Sequence, residues 1–297
     1  MRVAFDLPKA GGIGDAVCGL YAASGLAAAG HAVVLSTKHH QWISGCQAKV
    51  GLGDFGATGH DASVRYDEQL VAQRGDVHGK LNRAQWYLDN LALKRPELSG
   101  IRPIVPRFNF PLEAAPVRGP YIVINPFSAH TARVWRPECW KELAAEIARH
   151  GITPIGIGSM RDSRGLSAIF SNVKGAYFFW AQTPSWVRST IQQSMGFVGN
   201  DSGMTHIAAS LRVPAVAVMS HIRPSFVFNP GRVTGVTPDP NRFKCLFCGW
   251  QTQQGYRYGR PCMPACDALQ SISVSAVFDA VRQTCLPNQQ TKEALAA

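Results

Sequence analysis

The chain has 297 residues and a formal net charge of +11, with ordinary apolar content. This is more than one typical core needs and too apolar for disorder, so one large or two medium domains are expected. The basic excess, most of it beyond residue 118, suits an anionic partner such as a nucleotide, a phosphorylated glycan, nucleic acid or a lipid surface.

No run approaches the roughly 18 apolar residues needed to cross a bilayer. The start, Met1 to Pro8, places an acid and a proline where a signal peptide needs an apolar stretch. A cytoplasmic chain is expected, and its eight cysteines read as thiols or metal ligands before disulfides.

In chain order, residues 2–7 read as a strand, Gly11 to Gly14 as a turn, and Asp15 to Ala29 as a helix rich in Ala and Leu that Gly30 ends. A strand over 31–36 follows, giving a strand–turn–helix–strand unit. Asp15 lies beyond the C-terminal end of the first strand, where open α/β sheets place ligands. Its carboxylate suits proton abstraction from a hydroxyl nucleophile, and equally suits the N-cap of the helix it precedes. From Arg65 to Leu93 the pattern is helical, with Trp86, Leu88 and Leu91 facing inward.

Residues 96–120 carry six prolines and little periodicity, as a stiff connection would. The expected division is therefore 1–118 and 119–297. The second part restarts with a strand over 121–125, a helix over 137–150 with Trp140, Leu143 and Ile147 on one side, a strand over 152–158 and a helix near 184–194. Two Rossmann-like α/β domains facing a cleft are expected.

The run from Phe127 to Pro137 holds Ser128, Arg133 and Trp135 between a strand end and a helix start. Its hydroxyls and guanidiniums suit a diphosphate, although an exposed basic loop reads the same way. Residues 196–211, GFVGNDSGMTHIAASL, read as a short strand, a polar turn and a small-residue helix, with a further strand from Ala215 to Met219. The unpaired first-turn amides and the dipole of such a helix attract phosphate. His206 falls in that first turn, either to donate to a phosphate or to pack as a core histidine. Asp201 caps the helix or accepts bonds from sugar hydroxyls.

Cys245-x-x-Cys248 and Cys262-x-x-x-Cys266 have the arrangement of a tetrahedral four-thiolate site for zinc or iron. With every position filled by sulfur, such a metal is structural. Cys18, Cys46, Cys139 and Cys285 lack that spacing and read as packing residues.

Gly14-Asp15, Arg133-Val134-Trp135-Arg136-Pro137 with Trp140, and Gly199-Asn200-Asp201-Ser202-Gly203 with His206, in this order along nearly the whole chain, resemble glycosyltransferase family 9, the ADP-heptose:lipopolysaccharide heptosyltransferases. The resemblance implies a GT-B fold with an N-terminal acceptor domain and a C-terminal nucleotide-sugar domain, and inverting transfer without a catalytic metal. It implies that Asp15 is the general base, that Arg133 with Ser128 holds the diphosphate, that Ser202, Gly203 and His206 bind phosphate, and that Asp201 contacts the donor sugar. Asp162 stands where the family tends to carry a Glu near the nucleoside. Gly12, Gly14, His78 and Lys80 fall on the acceptor side. The donor implied is a nucleotide-diphosphate sugar, ADP-linked by preference, and the acceptor an anionic glycan, a protein or DNA.

The four-cysteine insertion is similar to the iron-binding motif of bacterial autotransporter heptosyltransferases, which modify protein hydroxyls. Two alternatives remain open at this stage. One is a phage-type enzyme that glycosylates a DNA base; the other is a non-catalytic nucleic-acid-binding module that uses the cysteine knuckle and basic surface.

Overall fold

The computed structural model describes residues 1–7, 12–52, 61–65, 82–220, 222–228, 233–243, 245–248, 256–257, 260–261 and 266–286. The chain divides into two compact units, Met1–Pro111 with Ser225–Asn229, and Leu112–Pro224 with Pro230–Ala297. Among the described residues no helix is long and apolar enough to cross a membrane.

The first unit is a parallel sheet of β1 (Arg2–Asp6), β2 (Ala32–Ser36), β3 (Val50–Leu52) and β4 (Ala62–Arg65), in the order β3-β2-β1-β4. The connecting helices are α1 (Ile13–Ala28), α2 (His40–Ile43) and α3 (Arg83–Lys94). Helix α1 is buried continuously from Ala16 to Leu26. Its small residues let neighbouring chain approach closely: a Cβ on Gly25 would collide with the Arg102 carbonyl. Gly30, at φ +88°, supplies the left-handed residue that ends the helix, a conformation costly for a residue with a Cβ. Trp86, Leu88 and Leu91 of α3 are buried, as their spacing predicts.

The proline-rich run is packed over part of its length rather than standing apart as a connection. Ile104 N–H donates to Tyr21 O (3.0 Å), Gln47 N–H to Arg107 O (2.7 Å), and Asn109 N–H to Gly45 O (2.8 Å). Proline removes the donor that a helix or ladder needs, but these non-proline amides bond across to the α1 and α2 region.

The second unit is a six-stranded parallel sheet of β5 (Tyr121–Asn125), β6 (Thr153–Gly158), β7 (Tyr177–Trp180), β8 (Gly196–Asn200), β9 (Ala215–Val218) and β10 (Val233–Val236). Its order is β10-β9-β8-β5-β6-β7. The chain lays strands outward from β5 in one direction, then crosses to β8 and lays them outward in the other. This is the doubly wound arrangement, with its switch point between β5 and β8. Strands β5, β8 and β9 are buried along their whole length, as central parallel strands covered on both faces must be.

Helices α4 (Pro137–Arg149), α5 (Ser163–Phe170), α6 (Pro184–Gln192) and α7 (Gly203–Ser210) follow β5 to β8, and α8 (Asp267–Gln270) and α9 (Val274–Cys285) close the described chain. On α4 the buried residues Trp140, Leu143, Ala144 and Ile147 form one helical stripe. Trp140 meets Trp135 edge-on at 5.1 Å between centroids, and the Trp135 indole donates to Ile272 O (3.1 Å). Such a partner offsets the cost of burying the indole N–H.

Candidate functional site

In the second unit the two loops that leave the switch point are stitched together by side chains. Asn125 and Asn200 end the adjacent strands β5 and β8, and both are buried. Asn200 accepts from Trp135 N–H (3.2 Å) and donates to Pro126 O (2.7 Å). Asn125 donates to Ile157 O (2.9 Å) and accepts from the Ser202 hydroxyl (3.2 Å). Ser128 donates to Asp201 O (3.2 Å), and Thr205 to Asn200 O (2.6 Å). The loop after β5 and the turn after β8 thus form one hydrogen-bonded body at the position where doubly wound sheets take ligands.

Arg133 comes from a short 3-10 turn, Thr131–Arg133, in the first of these loops. Its guanidinium lies 3.5 Å from the Asp201 carboxylate. Its Nε–H is buried with no hydrogen-bond partner among the described residues. Leaving such a donor unsatisfied is costly, so this position suits an oxyanion.

Asp201 is not the helix cap. Ser202 holds the cap position in extended conformation, and its hydroxyl goes to Asn125 instead of the helix amides. Gly203 opens α7, and His206 is buried in the first turn with its backbone N–H directed to Ser202 O at 3.5 Å. Ser128, Arg133, Asp201, Ser202, Gly203 and His206 therefore gather around the ends of β5 and β8. Asp162 sits beyond the end of β6, one strand away, where it accepts from the Ser159 N–H (2.8 Å) and hydroxyl (2.6 Å).

In the first unit Gly12, not Asp15, is the N-cap of α1, and Gly14 is already helical. Asp15 is the third helical residue and reaches back to accept from Gly12 N–H (2.9 Å), as a carboxylate at that position does. Its other oxygen takes the Arg83 guanidinium at 2.6 Å. Asp15 follows β1 and Arg83 follows β4, and these strands are neighbours on opposite sides of this sheet's own switch point. Gly11, His78 and Lys80 lie outside the described residues.

Of the four motif cysteines, Cys245 and Cys266 are buried in the same core cluster, and Cys266 Sγ is 3.5 Å from the Ser220 hydroxyl. Cys248 is partly exposed, and Cys262 lies outside the described residues. Among the described residues no three candidate ligands come together.

Arg83 and Asn125 are not singled out by the sequence, and Asn200 stands there within the Gly199–Gly203 motif without a role of its own. A polar residue ending an apolar run reads as the start of a turn, and nothing local ties Arg83 to an aspartate 68 positions earlier.

Residues 95–231 match the family model for glycosyltransferase family 9 (heptosyltransferase). No curated protein matches the sequence. Among solved structures, the glycosyl transferase family 9 protein from Veillonella parvula superposes with a TM-score of 0.68 at 13% identity, covering 95% of this chain and 96% of that one. E. coli heptosyltransferase WaaC with ADP gives a TM-score of 0.65 at 14% identity, over 95% and 99% of the two chains. The iron-containing dodecameric glycosyltransferase TibC of enterotoxigenic E. coli gives 0.68 at 17% identity, over 95% of this chain and 75% of that one. At such identities the likeness establishes the two-domain GT-B architecture.

Proposed function

We propose that this chain, a glycosyltransferase by its family-model match and its GT-B fold, moves a heptose or hexose from a nucleotide-diphosphate donor to a hydroxyl of a glycan or protein acceptor, with inversion at the anomeric carbon. The second unit, taken as residues 119–297, binds the donor, and the first, 1–118, the acceptor. The reaction takes place in the cytoplasm. An ADP-linked donor is favoured, because the WaaC structure that this fold resembles holds ADP.

One observation carries the reading: Arg133, with a buried and unspent Nε–H, stands in a loop bonded to the turn that opens α7. Its fork and the first-turn amides of Gly203 and its neighbours supply donors for a diphosphate, and Ser128 joins them by turning its hydroxyl away from Asp201 O. His206 adds a donor at the same turn, Asp201 receives a sugar hydroxyl, and Asp162 approaches the nucleoside.

The acceptor oxygen attacks the anomeric carbon as the bond to the diphosphate oxygen breaks. The proton passes to Asp15, and the bonding pair leaves with the diphosphate. Developing charge on that leaving group is what Arg133 and the helix start stabilise, and preorganised donors of this kind contribute about 3–4 kcal/mol each in enzymes. Gly12, Gly14, His78 and Lys80 are assigned to the acceptor side by the family resemblance.

Cys245, Cys248, Cys262 and Cys266 are the residues that would hold a structural zinc or iron. Four sulfur donors suit either metal, and the burial of Cys245 and Cys266 in one cluster suits a closed site. The metal supplies rigidity and takes no part in transfer.

The test is a thermal-shift screen of ADP-, GDP- and UDP-sugars followed by transfer assays on wild type and Asp15→Asn. One donor is expected to raise the melting temperature of both proteins, while only wild type forms product, with inverted anomeric configuration by NMR. Wild-type turnover in Asp15→Asn would remove the base assignment. Indifference to every donor, with tight salt-dependent DNA binding, would favour the nucleic-acid module instead.

A further inference from the structure

Arg83 is the most unusual charged residue of the first unit. It is the first residue of α3, its side chain is 10% exposed, and its guanidinium meets the Asp15 carboxylate at 2.6 Å. A cation at a helix N-terminus opposes the helix dipole, and arginine is rarely buried without a partner. The start of α3 does not need it: Asn82 already caps the helix by accepting from Ala84 N–H (2.9 Å). A buried ion pair is also a weak source of stability compared with apolar residues of similar size. Local rules that are broken together in this way point to a functional constraint.

We infer that Arg83 is a positioning residue for the base in the transfer reaction, an inference that rests on the reading of Asp15 as that base. One Asp15 oxygen is fixed by Gly12 N–H at 2.9 Å and the other by Arg83. With both oxygens anchored the carboxylate holds one rotamer, and each oxygen keeps a second lone pair for the acceptor hydroxyl. Arg83 is itself held from the other side: its guanidinium lies over the Phe226 ring, 5.5 Å from the centroid. Beside this ring, Asn82 Nδ2 donates to Ser225 O (3.5 Å) and Cys18 Sγ contacts Val227 O (3.8 Å). A segment from far along the chain thus braces the arginine that braces the base. Misplacing a reacting group by about 1 Å can cost on the order of a hundredfold in rate.

The experiment compares steady-state kinetics of wild type, Arg83→Lys, Arg83→Gln and Asp15→Asn with the stabilising donor and its acceptor. The expected result is a fall in kcat of about tenfold for the lysine variant, which keeps charge but lacks the planar fork. A fall of about a hundredfold is expected for the glutamine variant. Acceptor KM and donor-induced thermal stabilisation should stay within about threefold and a few degrees of wild type, respectively. A clip that merely holds α3 to α1 would lower the melting temperature without that separation of kcat from KM. Wild-type kcat in the glutamine variant, or a raised KM at unchanged kcat, overturns the inference while leaving Asp15 as base. If the glutamine variant does not fold, the lysine variant decides by the same criterion. Wild-type turnover in Asp15→Asn overturns the base assignment itself, whatever the arginine variants do.

Discussion

The Arg133 guanidinium lies 3.5 Å from the Asp201 carboxylate, with Asp201 nearly inaccessible and Arg133 one-fifth exposed. The aspartate therefore holds the arginine in place. A diphosphate arriving there meets a donor already ordered, so little side-chain entropy is lost on binding. Arg133→Met should weaken donor affinity by about 10–100-fold, the value of one hydrogen bond to a charged group. Titration calorimetry with the stabilising nucleotide sugar, on protein whose unfolding is still cooperative, measures it. Unchanged affinity would take Arg133 out of the donor site.

Asn200 makes the stitch that Arg133 depends on. Its amide accepts from Trp135 N–H and donates to Pro126 O inside a fully buried strand end. Asn200→Ala leaves both backbone groups without those partners, at about 1–3 kcal/mol each. A loss of about 2–5 kcal/mol in urea unfolding is expected, together with loss of donor-induced stabilisation, because both loops are released. Asn200→Asp retains an acceptor for Trp135 but offers Pro126 O no amide donor, and should fall between the alanine variant and wild type.

Much of the second unit is legible in the sequence, and the reason is local. The strand Tyr121–Asn125 and the helix that starts at Pro137 are marked by an apolar run and by a proline at the first helical position. The pairings that make the site are not local. Asn125 meets Ser202 across 77 positions and Arg83 meets Asp15 across 68, and no periodicity encodes either. The segment after Pro96 misleads for a related reason. Its prolines signal a stiff chain, but Gly25 and Gly45 on other elements let its backbone lie against the unit. A glycine inside an Ala-rich helix does not disclose what will approach it.

Cys285 gives the stability of the second unit a pH dependence. Burial raises its thiol to about 12, whereas an unfolded cysteine titrates near 8.5, as an order-of-magnitude reference. Above roughly pH 8.5 the unfolded chain releases this proton and the folded chain keeps it, so folding loses stability as pH rises. The contribution is complete below about pH 8.5 and declines toward pH 12, by at most about 1.4 kcal/mol per unit. Cys285 packs against the Cα of Gly196 and contacts Pro214 O at 3.7 Å, so Cys285→Ala costs packing at every pH. The stability gap between wild type and Cys285→Ala in urea should narrow by about 1–2 kcal/mol between pH 8.5 and 10. A gap that does not change over this range would mean that the thiol is more hydrated than its burial implies.

The cysteine knuckle makes the last prediction. Two of its thiols, Cys245 and Cys266, lie in a core cluster of the second unit, and inside the first pair Phe247 N–H donates to Ser220 O (2.8 Å), just beyond the end of β9. Phe247 takes a left-handed backbone at φ +61°, a conformation costly for an aromatic residue and maintained only when its surroundings enforce it. A tetrahedral metal binding the two pairs together would provide that enforcement from inside the knuckle. Purified protein should carry about one equivalent of zinc or iron by elemental analysis, with a tetrahedral sulfur shell by X-ray absorption. Replacing any one of Cys245, Cys248, Cys262 or Cys266 with serine should release the metal and lower the melting temperature, whereas Cys46→Ser should do neither. Metal-depleted protein should bind its donor more weakly only in proportion to the fraction unfolded, because a four-thiolate shell would leave a metal no open position for substrate. Protein isolated without metal, whose melting temperature does not change when zinc or iron is added, would show that the two pairs serve packing alone.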